Sequence, residues 1–291
     1  MSQVNALVIT GYGTNSHAET AHAARLGGAD RADVIHFADI VAADVRLESY
    51  DFLLFPGGFL DGDDLGAAQA AAQRWLHLTD RAGRPLLDSL AAFIDAGGLV
   101  LGICNGFQLL VKLGVLPGLA PEDADPAQAA ASRAGTVRFE RQVSLSHNAS
   151  ARFEDRWVRL APNPLSPCVF TRGLDAAEGL AMPVRHGEGR LVTRDAATLR
   201  RMVDANLVAL SYADPQSGLP TEAYPANPNG SPLGIAGITD PTGRVLGLMP
   251  HPEAFHHPAN HPGWTRGEKA VPGTALFRNA VDYLREHPVR R

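Results

Sequence analysis

An α/β fold built on a parallel sheet is predicted by two features of the sequence. Short apolar runs alternate with helical segments, and glycine or proline turn chemistry marks several of the boundaries. A third feature is a change of texture after Pro117: strand-like runs follow one another there, which predicts an added antiparallel layer rather than a second domain. All 291 residues are expected to form one domain, and a 45% hydrophobic content is enough for a sizeable core.

The first unit is Ala6-Leu7-Val8-Ile9, a short strand, then the turn Gly11-Tyr12-Gly13. Ser16-His17-Ala18-Glu19 has the spacing of a capping box and opens an Ala-rich helix that stops at Gly27-Gly28. Val34-Ile35-His36-Phe37 and Phe52-Leu53-Leu54-Phe55 are further apolar runs, the second stopped by Pro56-Gly57-Gly58, and residues 69–78 read as helical. Pro85 suits the first turn of another helix and Gly97-Gly98 its end. Leu99-Val100-Leu101-Gly102-Ile103 is then a buried strand that runs directly into Cys104 and a helix over residues 105–113. Such alternation implies parallel strands joined by right-handed crossovers.

Beyond residue 117, Pro, Ala and Asp dominate to about residue 134. Strand-like runs follow at 137–139, 143–145, 157–160 and 207–212, apolar strands return at 234–238 and 245–249, and residues 274–285 make a closing amphipathic helix.

A formal net charge of -5 provides no basic field for a phosphate backbone, so nucleic acid is not an expected partner. No apolar run approaches the roughly 18 residues of a membrane span, and the N-terminus lacks a signal-peptide pattern, so a cytoplasmic location is expected. Cys104 and Cys168 are too few for a disulfide framework or a cysteine metal site, and each is read as a free thiol.

Gly102-Ile103-Cys104-Asn105-Gly106 has the strand, G-x-nucleophile-x-G, helix arrangement of a nucleophile elbow, with cysteine at the reactive position. A lone cysteine at a strand end is usually a small buried hydrophobe, and Cys168 is read that way. The glycines change the reading at Cys104, because a side chain held on a strained turn needs neighbours that let backbone pass closely. The helix that begins there favours thiolate and offers the Asn105 N–H to a developing oxyanion.

Such a thiol needs an acid/base partner, which histidine supplies near neutral pH. Of eleven histidines, His251 in His251-Pro252-Glu253 follows an apolar strand and carries a carboxylate two residues on. In extended backbone, i and i+2 share a side, so Glu253 could orient one ring nitrogen while the other faces Cys104. Gly58 in Pro56-Gly57-Gly58-Phe59 is a candidate second oxyanion donor. His256, His257 and His261 lack regular ligand spacing and read as a solvated loop, so no metal site is expected.

Together these motifs resemble class I (triad-type) glutamine amidotransferases, and within them the glutaminase branch of phosphoribosylformylglycinamidine synthase in purine biosynthesis. The resemblance rests on Gly102-Ile103-Cys104-Asn105-Gly106-Phe107-Gln108, His186-Gly187-Glu188-Gly189, Asn227-Pro228-Asn229-Gly230-Ser231 and Met249-Pro250-His251-Pro252-Glu253, with Asn15-Ser16-His17 and Arg152-Phe153-Glu154 similar to the version fused to the large synthase.

The resemblance implies a flavodoxin-like sheet, Cys104 as nucleophile, His251 as acid/base, Glu253 as its orienter and Gly58 and Asn105 as oxyanion donors. It also implies Gly57, Gln108 and Phe153 as glutamine contacts. It further implies L-glutamine as substrate and ammonia delivery to a large synthetase subunit, with or without a small third subunit. ATP and magnesium are expected on that partner and no cofactor on this chain, which lacks a G-x-x-x-x-G-K-[ST] loop. Leu60-Asp61 and Ala254 depart from the family's Ser-Tyr and arginine. A cysteine hydrolase or deglycase of the same superfamily, and a catalytically silent regulatory homologue, are the rival readings.

Overall fold

Residues 2–42, 45–120, 139–175 and 179–290 are described by a computed structural model. The apolar runs of the first half become β1 (Asn5–Thr10), β2 (Arg31–His36), β3 (Phe52–Phe55) and β4 (Leu99–Ile103). β3 and β4 are buried at every position, which is why they read as unbroken apolar runs rather than alternating ones. Between them lie α1 (His17–Leu26), α2 (Phe37–Ala42), α3 (Gln69–His77), α4 (Leu86–Asp95) and, after β4, α5 (Asn105–Lys112). Pro85 stands at the cap just before α4 rather than in its first turn.

The second half contributes β5 (Val143–His147), β6 (Glu154–Pro162), β7 (Ala181–His186), β8 (Glu188–Thr193), α6 (Ala196–Asp204), β9 (Val208–Ala213), β10 (Ile235–Thr239), β11 (Val245–Leu248) and α7 (Thr274–Glu286). The strand-like run at 137–139 lies, except for Phe139, outside the described residues.

Nine strands form one sheet in the order β2-β1-β3-β4-β11-β10-β9-β6-β7. The pairings from β2 to β11 are parallel, which is the 2-1-3-4-5 order of flavodoxin-like folds. From β11 to β7 every pairing is antiparallel, so most of the expected antiparallel addition continues the same sheet, and only β5 and β8 pair separately.

His186-Gly187-Glu188-Gly189 passes the chain from β7, paired with β6, to β8, paired with β5. The Ser16 capping box is not formed, since Ser16 makes no side-chain cap. Its hydroxyl is taken by the Gly57 N–H at 2.9 Å, a long-range bond that outcompetes the local one.

α7 buries Leu276, Phe277, Ala280, Val281 and Leu284, an i, i+4, i+8 stripe that closes the outer face over α1. Phe277 meets Phe52 with ring centroids 6.4 Å apart. α5 crosses β3 closely at Gly106, where an added Cβ would lie 1.9 Å from the Phe55 carbonyl oxygen. That contact is to backbone and cannot relax cheaply. Gly106→Ala should lower the unfolding free energy by about 3 kcal/mol or more, at the upper end of overpacking costs, read by urea denaturation; an unchanged midpoint would contradict this packing.

Candidate active site

Cys104 ends β4 and caps α5 with φ 51 and ψ -104, a left-handed conformation that a side chain adopts at a strain of about 1–3 kcal/mol. Its N–H bonds to the Leu248 carbonyl (2.8 Å) in β11, and its carbonyl accepts the Gln108 N–H (3.0 Å), which starts the helix. Gly102 is pressed by the returning helix: a Cβ there would lie 2.6 Å from Leu110 Cδ1. The glycines before and after the cysteine thus permit the elbow, as the spacing predicts.

Cys104 is 6% exposed and its thiol donates to the Arg185 carbonyl at 3.6 Å. It borders a cavity of about 380 Å³ lined also by Asn15, Ser16, Glu19, Phe153, Arg185 and His251. This volume suits a small-molecule ligand.

His251 follows β11 and is anchored by its N–H on the Pro183 carbonyl at 2.8 Å. Its Nδ1 lies 2.7 Å from Glu253 Oε1, with both side chains buried. Its Nε2 has no hydrogen-bond partner among the described residues. Burial pushes the imidazole pKa down, but the charges of Glu253 and Cys104 outweigh it and raise it from 6.5 to about 10. Gly57 measures how closely base and thiol approach: one Cβ placed on it would be 2.8 Å from His251 Cε1 and 3.5 Å from Cys104 Cβ.

The segment bearing Gly57 and Gly58 is zipped to the loop after β1. Asn15 N–H bonds to Gly57 O (3.2 Å) and Phe59 N–H to Gly13 O (2.9 Å), around an antiparallel bridge from Thr14 to Gly58. The amides of Gly58 and Asn105 have no partner among the described residues, whereas that of Gly57 is held by Ser16.

The Asn105 side chain does something the sequence did not disclose. Its Oδ1 accepts the Leu60 N–H at 2.9 Å and its Nδ2 donates to Asp63 at 3.0 Å and to Gln108 Oε1 at 2.9 Å. The residue at the helix start therefore grips the loop that carries Gly58. Burial raises the Asp63 pKa, and its bonds to Ala68 and Asn105 oppose this.

Gln108 lies behind the cavity, donating to the Glu188 carbonyl at 2.6 Å, while Phe153 lines the cavity and is half exposed. At the two departures, Asp61 pairs with Arg74 at 2.9 Å and Ala254 presents a methyl group to the cavity.

The remaining motifs hold the walls. Asn229 is fully buried, donates to Gly189 O (2.8 Å) and Tyr212 OH (3.0 Å) and accepts from Ser231, whose hydroxyl takes the Leu191 N–H. His186, whose role was not foreseen, is buried with Nδ1 on Asn148 Oδ1 at 3.0 Å. Burial and the neighbouring charge of His251 lower its pKa to about 3. His257 and His261 accept backbone N–H groups within their own turns, His256 packs edge-on against His22, and no metal-binding group of side chains occurs among the described residues.

A family model described as a CobB/CobQ-like glutamine amidotransferase domain matches residues 3–284. The chain is 38% identical over 288 residues to phosphoribosylformylglycinamidine synthase subunit PurQ of Dehalococcoides mccartyi, covering 98% of this chain and 100% of that one. It is 36% identical to the protein of the same name from Methanococcus maripaludis, covering 96% and 97%. Among solved structures it resembles PurLQS from Thermotoga maritima, with a TM-score of 0.66 and 26% identity over 97% of this chain and 100% of that one. A glutamine amidotransferase from the same organism shares the fold, with a TM-score of 0.50 and 15% identity over 98% and 99%.

The two histidines give stability opposite pH dependences. The raised His251 pKa contributes stability fully present below 6.5 and lost as pH rises through about 10. The lowered His186 pKa contributes stability present above 6.5 and lost as pH falls towards about 3. Glu253→Gln should lower the His251 pKa and flatten the alkaline decline, read by histidine NMR and by urea unfolding across pH; parallel profiles for the two proteins would show that Glu253 does not hold the charge.

Proposed function

The chain belongs to the family of CobB/CobQ-like glutamine amidotransferase domains, and from that premise we propose that it is the glutaminase subunit of a phosphoribosylformylglycinamidine synthase. The relatives bearing that name align over nearly their whole length, which supports the branch. One observation carries the chemistry: a buried Glu253–His251 pair leaves Nε2 without a hydrogen-bond partner among the described residues, in the same cavity as a cysteine on strained backbone.

In this mechanism Cys104 Sγ attacks the side-chain amide carbon of glutamine while its proton resides on His251 Nε2. The carbonyl oxygen becomes an oxyanion between the N–H groups of Asn105 and Gly58. As the C–N bond breaks, His251 gives its proton to the leaving nitrogen, releasing ammonia and leaving a γ-glutamyl thioester. Water then attacks the thioester, His251 takes its proton, and the C–S bond breaks to return the thiol and release glutamate. Glu253 holds Nδ1–H and stabilises the imidazolium. Phe153 borders the substrate, and Gly57 lets His251 approach. Gln108 acts from behind the wall, fixing the backbone at Glu188, where the chain passes from β7 to β8.

Ammonia in neutral water is mostly protonated and no longer nucleophilic, so it is passed directly to a large synthetase subunit, to which we assign ATP and magnesium. A small third subunit fits the same reading. No helix among the described residues is long and apolar enough to cross a membrane, and we assign the protein to the cytoplasm. The hydrolase and silent-homologue readings leave the His251–Glu253 pair without a use.

Cys104→Ala should abolish glutamine-dependent synthesis by the assembled complex while synthesis from ammonium salts stays at the wild-type rate. Retained glutaminase activity in that variant would overturn the assignment.

A further inference from the structure

The two N–H groups assigned to the oxyanion come from separate segments. Gly58 lies on the loop after β3, and Asn105 opens α5 after β4. The ladder between those strands ends at Phe55 and Gly102, short of both residues. Backbone bonds from Asn15, Ser16 and Phe59 tie the Gly58 segment to the loop after β1, not to α5. Among the described residues, the hydrogen bonds that join residues 58–68 to the start of α5 all use the Asn105 side chain. The spacing of the two donors therefore depends on which way that amide is turned.

Asp63 decides the orientation. A carboxylate only accepts, so it draws Asn105 Nδ2, at 3.0 and 3.3 Å from its two oxygens, and turns Oδ1 to the Leu60 N–H at 2.9 Å. With the amide reversed, Oδ1 would face the carboxylate and Nδ2 would face an N–H. Gln108 Oε1, also an acceptor, enforces the same choice at 2.9 Å from Nδ2. Asp63 is itself held by the Ala68 N–H on its Oδ1 at 2.8 Å. Asp61, Asp63 and Ala68 have left-handed backbone, with φ of 57, 54 and 56, a shape that persists only where the surrounding bonds over-determine it. Asp63 stands outside the cavity lining and touches no reacting atom. Resting on the glutaminase reading above, we propose that Asp63 is a positioning residue for the reaction: through the Asn105 side chain it fixes Leu60, two residues beyond Gly58, and so sets the gap between the Gly58 and Asn105 N–H groups that share the oxyanion.

The test uses the full chain assembled with its synthetase and compares glutamine hydrolysis with alkylation of Cys104 by iodoacetamide, which substitutes at a tetrahedral carbon and forms no oxyanion. Asp63→Asn keeps the shape of the side chain but leaves an amide N–H facing either Asn105 Nδ2 or the Ala68 N–H. It should lower the glutaminase kcat by roughly tenfold to a hundredfold and leave the glutamine KM within about twofold. Labelling of the Cys104 peptide, read by mass spectrometry, should slow by less than about twofold, because the thiol and His251 are untouched. Arg74→Gln breaks the Asp61 ion pair on the same loop without touching Asn105, and should keep kcat within about twofold of wild type. An unchanged kcat in Asp63→Asn overturns the proposal, as does a rise in KM alone, a loss that iodoacetamide labelling shares, or an equal loss in Arg74→Gln. A wild-type complex without glutaminase activity overturns the glutaminase reading, and this proposal with it, so the wild-type result tells the two failures apart.

Discussion

The left-handed backbone of Cys104 is the constraint from which the rest of the site follows. It turns β4 into α5 within one residue, sets the sulfur at the cavity and leaves the Asn105 N–H free beside it. Its strain of about 1–3 kcal/mol is small beside what the turn makes possible. Phe107, Leu109, Leu110 and Val111 of α5 are all buried, and each large apolar side chain so placed contributes about 1.5–3 kcal/mol. Burial of the helix on nearly all sides therefore holds Cys104 in a conformation it would not adopt alone, and glycines at 102 and 106 make the approach sterically possible.

The parallel half of the fold was legible because β3 and β4 are buried at every position and turn residues mark most of its boundaries; the limits of the helices that were read fell within a residue or two, whereas α2, which starts directly at the end of the exposed β2, was missed. β7 and β8 were not legible. Pro183, Arg185, Glu188 and Arg190 interrupt any apolar run there, since these strands lie at a sheet edge and in a separate two-stranded pair. α6 has helical apolar spacing but is short and buries only Thr198 and Met202, and it lies among strands in a stretch that reads as a run of strand-like segments. At the site, the cysteine and the His-Pro-Glu segment were readable because their neighbours in sequence are also their structural supports. The Asn105 clamp on residues 60 and 63, and the loss of the Ser16 cap to Gly57, depend on contacts between distant segments that no local pattern encodes.

Two imidazoles near one another are kept in opposite states by different means. His251 is buried but faces a carboxylate at 2.7 Å, and the pair's charge interaction exceeds the desolvation that opposes it. His186 is buried against an amide, has no such partner, and feels the charge of His251, so it stays neutral. A neighbour so weakly basic does not compete with His251 for a proton, and its neutrality keeps a second positive charge away from that ring. Asn148 holds the His186 ring at Nδ1 and its carbonyl, and Asn229 and Ser231 bond to one another and to the adjoining backbone, which keeps this wall in place.

The central claim is that a cysteine in a strained elbow, served by His251, forms a covalent intermediate with glutamine. It is tested most directly by mixing the assembled complex with L-glutamine, quenching in acid during turnover and mapping the adduct. A γ-glutamyl group on Cys104 that decays at the rate of glutamate formation is the predicted result. Turnover with the glutamyl group found on another residue, or with Cys104 unmodified while its iodoacetamide adduct leaves the rate intact, would contradict it.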